Sequence, residues 1–415
     1  MSTAQAPVRQ GRTSPAVAVT GAAHGLGHAL TARLAGSERV RKVIAIDEQR
    51  GDVSGVIWRL ADVRDPALAG RLADVDVLVH TDIDTSVDAE YRARRAANVR
   101  AAQTVLTAAA AGQVGRVILV TSAMVYGARP DNPVPLEETA PLGADPDGSV
   151  AGDLLEIEHL ARRSPRVHPG LSVTVVRPAA LVDGSADSLA ARHFESARLL
   201  TVKGASPRWQ FCHIDDLISA LELAIAGEVA GSFAVGCDGW LEQDEVERIS
   251  GLRRIELPAG LTFGTAQRLH RVGINPAPVN DLHYLVYPWV VDCQVLRAAG
   301  WHPAWDNAAV LEALMEARAG HRAAGRRLPS KEVTITAARS SSTDSGSSRS
   351  SASRITSTPA TVPGPRTTSG GARSGRGALR PGPGRSAPVR CLACGCAPRA
   401  PPPPCRSPRP WRLPR

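Results

Sequence analysis

The stretch Ala16-Val17-Ala18-Val19-Thr20-Gly21-Ala22-Ala23-His24-Gly25-Leu26-Gly27, followed by the helix-forming run His28 to Ala35, decides the reading of the fold. The opening apolar run favours a strand, the three glycines permit a tight reversal, and the Ala/Leu/Arg segment after them favours a helix. In that order they build a cradle for an anion. Glycine is needed there because a side chain would hold the backbone away from a pyrophosphate, while the helix N-terminus offers unpaired N–H groups and positive potential. Gly21, Gly25, Leu26 and Gly27 are therefore candidate dinucleotide-binding residues. The plainer alternative is a tight strand-to-helix turn with no ligand.

Outward from this stretch, short Val- and Ile-rich runs alternate with helical segments. The runs are Lys42 to Asp47, Val56 to Leu60, Val75 to His80, Arg116 to Thr121 and Leu171 to Arg177. Between the runs at Val75 and Arg116, Ala89 to Ala111 is long enough for a right-handed crossover helix and ends at Gly112. The pattern predicts an α/β class: after a flexible N-terminus (1–14), a Rossmann-like doubly wound parallel sheet over residues 15–177. Beyond Arg177-Pro178 the elements shorten and mix, with a run at Trp209 to His213, a helix from Ile214 to Ala226, a run at Gly231 to Val235, a helix near 242–250 and a last helix at Ala308 to Arg318. This region, 178–330, is expected to be a smaller substrate lobe closing over the carboxyl edge of the sheet.

Asp47 ends the second strand twenty residues beyond Gly27, where a carboxylate can accept hydrogen bonds from both hydroxyls of an adenosine ribose. That favours NAD over NADP, whose phosphate the carboxylate would repel, although Arg50 nearby keeps NADP open. A solvated turn beside Glu48 is the alternative for Asp47. Asp62-Val63 follows the third strand and is placed to meet the adenine amino group, or to cap a helix ahead of Pro66. His80 ends the fourth strand, either touching the cofactor or serving as a satisfied strand-end histidine.

The formal charge of the 415 residues is +9, yet residues 336–415 contain fourteen Arg and one acidic residue, Asp344. That tail alone carries +13, leaving the rest at −4, so nucleic-acid binding by the folded part is not indicated. The tail is Ser/Arg/Pro/Gly-rich with almost no large apolar residues and reads as disordered. Its composition is also what GC-rich DNA yields when read out of frame, and that alternative stays open. Cys391, Cys394, Cys396 and Cys405 supply enough thiolates for zinc but no apolar residues to build a knuckle, so no metal site is expected. Cys212, Cys237 and Cys293 are scattered through the body, as in a reducing compartment. No apolar run approaches the roughly 18 residues of a membrane span. A cytoplasmic, non-membrane protein with a small-molecule ligand is expected, its assembly, a homodimer included, left open.

With these residues in hand, residues 14–318 resemble the extended short-chain dehydrogenases, the NAD-dependent epimerase/dehydratase family. The resemblance is carried by Thr20-Gly21 with Gly25 and Gly27, the run ending in Asp47, Asp62-Val63, Asn98-Val99, and Val120-Thr121-Ser122-Ala123-Met124-Val125-Tyr126-Gly127. It continues through Val176-Arg177-Pro178, Phe211 to Leu217 and Ala299 to Pro303. It implies cofactor contacts from Asn98 and Pro178, a catalytic serine at Ser122, and Tyr126 beside the cofactor or substrate mouth, unless Tyr126 is a strand-end core residue.

Two departures stand out. Epimerase-like members space their glycines so that one would fall at position 24, where this chain has His24. More consequentially, family chemistry uses a Tyr and a Lys four residues later. The chain's four tyrosines, Tyr91, Tyr126, Tyr284 and Tyr287, are followed at that spacing by Arg95, Pro130, Pro288 and Val291. In the expected segment the Tyr register falls on Ser149 or Val150 and the Lys register on Asp153 or Leu154. Two readings follow: an oxidoreductase or epimerase acting on a sugar-nucleotide-like or other carbonyl/hydroxyl substrate, using an acid recruited from elsewhere such as Asp153, Glu156 or His80, or a non-catalytic NAD-binding sensor or scaffold. Deleting residues 336–415 is expected to leave the melting temperature and dinucleotide affinity unchanged and to lower the pI sharply. A loss of several degrees in a thermal melt would show that the tail packs on the body.

Overall fold

The computed structural model describes residues 14–326 apart from 88, 147, 183–187 and 272–276, so the expectations for the N-terminus and the 336–415 tail lie outside the described residues. Six strands form at the expected places: β1 (Ala16–Thr20), β2 (Lys42–Asp47), β3 (Ile57–Leu60), β4 (Val77–His80), β5 (Arg116–Val120) and β6 (Ser172–Pro178). With Ser232–Val235 they make a seven-stranded parallel sheet in the order Ser232–Val235, β6, β5, β4, β1, β2, β3. Strand order reverses at β1, which pairs with β2 on one side and β4 on the other, and such a switch opens a crevice at the carboxyl ends of the strands.

Every residue of β1 is buried, as a central parallel strand covered on both faces requires. The helices α1 (Gly25–Ala35) and Ile214–Ala226 cover one face, with Leu30 and Leu34 of the first and Leu217 and Leu221 of the second in a single core. The helices α2 (Tyr91–Ala111) and α3 (Val150–Val167) cover the other, through Val105, Leu106, Leu154 and Ile157. Each such side chain contributes about 1.5–3 kcal/mol by leaving water. Glu90 starts α2 by accepting hydrogen bonds from the Arg92 and Ala93 N–H groups, and Gly112 ends it. Residues 148–156 include two glycines, and α3 is started by Ser149, whose Oγ accepts from Gly152 N at 2.9 Å.

The expected boundary at 177 does not end the sheet, because Ser232–Val235, from the stretch 178–330, extends it beyond β6. Elsewhere this stretch holds short strand pairs, Ala180–Val182 with Phe211–His213 and Leu199–Val202 with Arg254–Leu257, around Phe194, Trp209 and Phe211. The helices Leu189–Glu195 and Ala259–Arg271 had no distinct sequence signal. Cys212, Cys237 and Cys293 are buried free thiols, and among the described residues no helix is long and apolar enough to cross a membrane.

Two histidines are sealed in this framework. His80 has no solvent exposure, its Nδ1 lying 2.8 Å from Thr20 Oγ1, and burial pushes its pKa down to about 4. His193 is stacked on Trp209 at 5.1 Å between ring centroids, and burial likewise pushes it to about 4. Both fold as neutral rings while the unfolded chain protonates near 6.5, so their contribution is complete above that value and is lost as pH falls toward 4. The melting temperature should therefore drop between pH 6.5 and 4.5. Thermal melts of His80→Gln/His193→Gln should show a shallower slope over the same interval; an unchanged slope would remove these two rings as its source.

Candidate functional site

A cavity of about 530 Å³ opens at the carboxyl ends of β1, β2, β4 and β5, where the strand order reverses. Its first wall is the glycine turn. Gly21 has φ +69°, and a Cβ there would come within 3.1 Å of Asp82 Cβ. Gly25 has φ +47° and faces open space, so the backbone of the first helical turn is bare toward the cavity. Gly27 matters for a different reason, because a Cβ there would lie 2.0 Å from the Gly21 carbonyl oxygen. The three glycines thus divide into one for the reversal, one for close approach of a ligand and one for packing the helix on the strand.

Asp47 leaves the end of β2 and holds the turn, its Oδ2 accepting from Ala23 N at 3.0 Å and its Oδ1 from Gln49 N at 3.1 Å. Each carboxylate oxygen keeps a further acceptor position for a ribose hydroxyl. Glu48 and Gln49 line the same end, with Thr81, Asp82 and Asp84 from the loop after β4. Burial, and then the nearby Asp47 carboxylate, raise the Asp82 pKa. That loop is pinned from α2 by Asn98, which is buried: its Oδ1 accepts from Asp84 N at 3.0 Å and its Nδ2 donates to Asp84 O at 2.8 Å. Asn98 thus sets the cavity wall without lining it.

The expected site residues separate into two groups. Gly21, Gly25, Leu26, Gly27, Asp47, Ser122 and Pro178 line the cavity together. Asp62, Val63, His80, Asn98 and Tyr126 do not. Asp62 accepts from Arg64 Nε at 2.7 Å, which lowers its pKa, and Arg64 also pairs with Glu48. Val63 and His80 are core residues. Tyr126 is buried, its hydroxyl donating to Glu138 O at 2.9 Å and accepting from Arg177 Nη1 at 2.8 Å. Arg177 in turn forms a paired contact with Glu158 on α3, at 2.9 and 2.6 Å.

The same geometry resolves the register that the sequence left open. Ser149 caps α3, accepting from Gly152 N and donating to Asp145 O at 3.0 Å, so it is Val150 that reaches the cavity. One turn later Leu154 lines the cavity, whereas Asp153 turns away into a buried ion pair with Arg94, Nε to Oδ2 2.8 Å. Of the two candidate registers, the one that faces the cavity thus carries a valine and a leucine. None of the recruited acids expected from the sequence supplies the missing acid–base pair: Asp153 is paired with Arg94, Glu156 lies 3.7 Å from Arg95 outside the cavity, and His80 is in the sheet. Ser122 does line it, accepting from Met124 N at 3.2 Å with its own hydroxyl 3.4 Å from Pro178 O.

Sequence reasoning missed the far wall. Trp209, Tyr284, Leu285 and Trp289 come from the 178–330 stretch and complete the cavity, the Tyr284 segment being tied to the start of α3 by Val150 N donating to Asp281 Oδ1 at 3.0 Å. Tyr284 is the only tyrosine among the described lining residues, and it donates its hydroxyl to Met124 O at 2.8 Å while burial pushes its pKa upward, so it stays a neutral phenol. No periodicity or spacing could have joined these residues to a glycine turn so distant in the chain. Among the described residues no cluster of His, Cys, Asp and Glu is arranged to hold a metal.

Known proteins share this fold. An uncharacterized protein of Mycobacterium tuberculosis, Rv0501, is 29% identical over 309 residues, covering 70% of this chain and 81% of that one. Among solved structures, a short-chain dehydrogenase/reductase superfamily protein from Agrobacterium tumefaciens with bound NAD is similar at TM-score 0.56 and 20% identity, covering 75% of this chain and 100% of that one. The dTDP-glucose 4,6-dehydratase DesIV from Streptomyces venezuelae is similar at TM-score 0.57 and 22% identity, covering 74% and 98%. The family profile matches residues 17–236, from β1 through Ser232–Val235, and the chain belongs to the NAD dependent epimerase/dehydratase family.

Proposed function

We propose that this chain is a cytoplasmic NAD-binding protein that holds its dinucleotide without using it for turnover. The carrying observation is that Val150 and Leu154 line the cavity, in one of the two registers in which the family resemblance expects the acid–base pair. When bound, NAD supplies a hydride acceptor; the surrounding residues decide whether a proton can move with it. A positioned acid or base contributes on the order of 10² to 10⁴ in rate, and neither valine nor leucine can exchange a proton. The buried free thiols support a reducing compartment.

The pyrophosphate–ribose half of a dinucleotide fits the residues present. The Gly25 approach is bare, the amides of the first α1 turn face the cavity, and Asp47 offers its carboxylate to the ribose. A 2′-phosphate would meet Asp47, Glu48 and Asp82, and Arg64 is already paired with Asp62 and Glu48. Calorimetry should accordingly give NAD at least about tenfold tighter binding than NADP, a difference near 1.4 kcal/mol. Gly25→Ala should weaken NAD severely by placing a methyl group where the backbone must approach the phosphates. Equal NADP affinity, or an unchanged Gly25→Ala variant, would dismiss this placement.

NAD should bind while nucleotide-sugar oxidation and epimerisation stay at background. Val150→Tyr with Leu154→Lys restores phenol and cation in the observed register, so measurable turnover is expected from the pair and little from either change alone, because the two groups act as a unit. Ser149→Tyr with Asp153→Lys should instead destabilise the fold, removing an N-cap worth about 1 kcal/mol and leaving Arg94 buried against a second cation, at about 3–5 kcal/mol for a broken buried pair. Rapid NADH formation by the unaltered chain would sink the non-catalytic reading.

A further inference from the structure

Beyond the glycine turn and Ser122, the cavity continues to an end walled by Met124, Val150, Leu154, Trp209, Tyr284 and Trp289. We propose that this end binds an uncharged, largely apolar small molecule, ring-shaped or polycyclic, and that it rejects nucleoside diphosphate sugars. The proposal rests on the preceding reading in placing the dinucleotide at the glycine-turn end, which leaves this end for a second ligand.

Charge is the first argument. None of the residues walling this end is charged; the cavity's carboxylates, Asp47, Glu48, Asp82 and Asp84, belong to the glycine-turn end, where the amides of the first α1 turn serve the dinucleotide's phosphates, and among the described lining residues there is no Lys or Arg. A nucleoside diphosphate sugar carries two phosphate charges, and removing them from water without a partner is strongly unfavourable. Anions of that kind are held by arginine forks or lysines in ordinary sites. Behind the α3 wall, Arg94 and Arg177 are committed to Asp153 and Glu158, both pairs buried, and Arg129, whose charge is felt at Tyr284, donates to the Gly143 carbonyl without lining the cavity.

The polar atoms of the aromatic wall are the second argument, because each is engaged with the protein. Tyr284 Oη donates to Met124 O at 2.8 Å, Trp289 Nε1 to Tyr284 O at 2.9 Å and Trp209 Nε1 to Gln243 Oε1 at 3.4 Å. Only their rings and edges are left for a ligand. Trp209 is held rigidly in a stack, with His193 at 5.1 Å and Phe211 at 6.0 Å between centroids. A pre-organised aromatic wall with no free donor selects a flat apolar surface. Val150 and Leu154 complete it with aliphatic side chains, which lose by contact with phosphate and gain by contact with a hydrocarbon ring.

The test uses the full chain saturated with NAD, titrated with 1-naphthol, an uncharged bicyclic probe at neutral pH, and in parallel with UDP-glucose. Tryptophan fluorescence and calorimetry are read together. Saturable 1-naphthol binding with tryptophan quenching is expected, weakened at least about tenfold in Val150→Asn and in Leu154→Asn, with no measurable UDP-glucose binding. Two substitutions on the wall keep the test decisive if one variant fails to fold. UDP-glucose binding that displaces 1-naphthol, no saturable 1-naphthol binding, or 1-naphthol binding indifferent to both substitutions would overturn the proposal. The same titration without NAD separates the two readings: failure of NAD to bind strikes the dinucleotide assignment, while variant-sensitive 1-naphthol binding still decides the apolar end.

Discussion

The near-contact between Gly27 and the Gly21 carbonyl is the constraint on which the rest of the structure depends. Because position 27 has no Cβ, α1 can leave β1 at a sharp angle and still pack its Leu30 and Leu34 against the sheet. Any other residue there would set 2.0 Å between a carbon and an oxygen, and the helix would have to lift. Lifting it would carry away the bare backbone at Gly25, the amides of the first turn and the Ala23 N–H that Asp47 holds. Binding geometry and core packing are therefore one constraint at this corner.

A second set of interactions fixes what faces the cavity from α3. Buried ion pairs seldom add net stability, because desolvating two charges offsets their attraction, but breaking one is costly, so they specify arrangement well. Arg94–Asp153 ties α3 to α2, and the Arg177–Glu158 pair ties it to β6, with Thr121 Oγ1 also donating to Glu158 at 2.9 Å. Asp153 and Glu158 lie on the faces turned to protein, which leaves Val150 and Leu154 on the face turned to the cavity. Helix rotation here is set by charge pairing, and its outcome is an apolar wall on the α3 side of the cavity.

The cavity is consequently polar and acidic at one end and aromatic and aliphatic at the other. Asn98 and Tyr126 support it from behind, the first by holding both backbone groups of Asp84, the second by joining Glu138 to Arg177. Both reside in segments that resemble the family, and both act through the position of other groups, touching no part of the cavity themselves.

The sequence by itself determined the alternation of strands and helices, the parallel sheet, the glycine turn, Asp47 and the loss of the Tyr and Lys pair, because each is a local matter of periodicity, backbone freedom or spacing within one segment. Strand limits fell within two residues of the apolar runs, since a buried parallel strand must be apolar along its length. Tertiary structure alone decided which of two adjacent residues entered the cavity, because one step along a helix turns a side chain by about 100° and the pairings of Arg94 with Asp153 and Arg177 with Glu158 fix that rotation. It also decided that His80 belongs to the core, that Asp62 serves Arg64, and that Trp209, Tyr284 and Trp289 close the far end. The closing of that far end depends on segments more than a hundred residues apart meeting in space, as Tyr284 meets Met124, and no local pattern in the chain encodes that meeting.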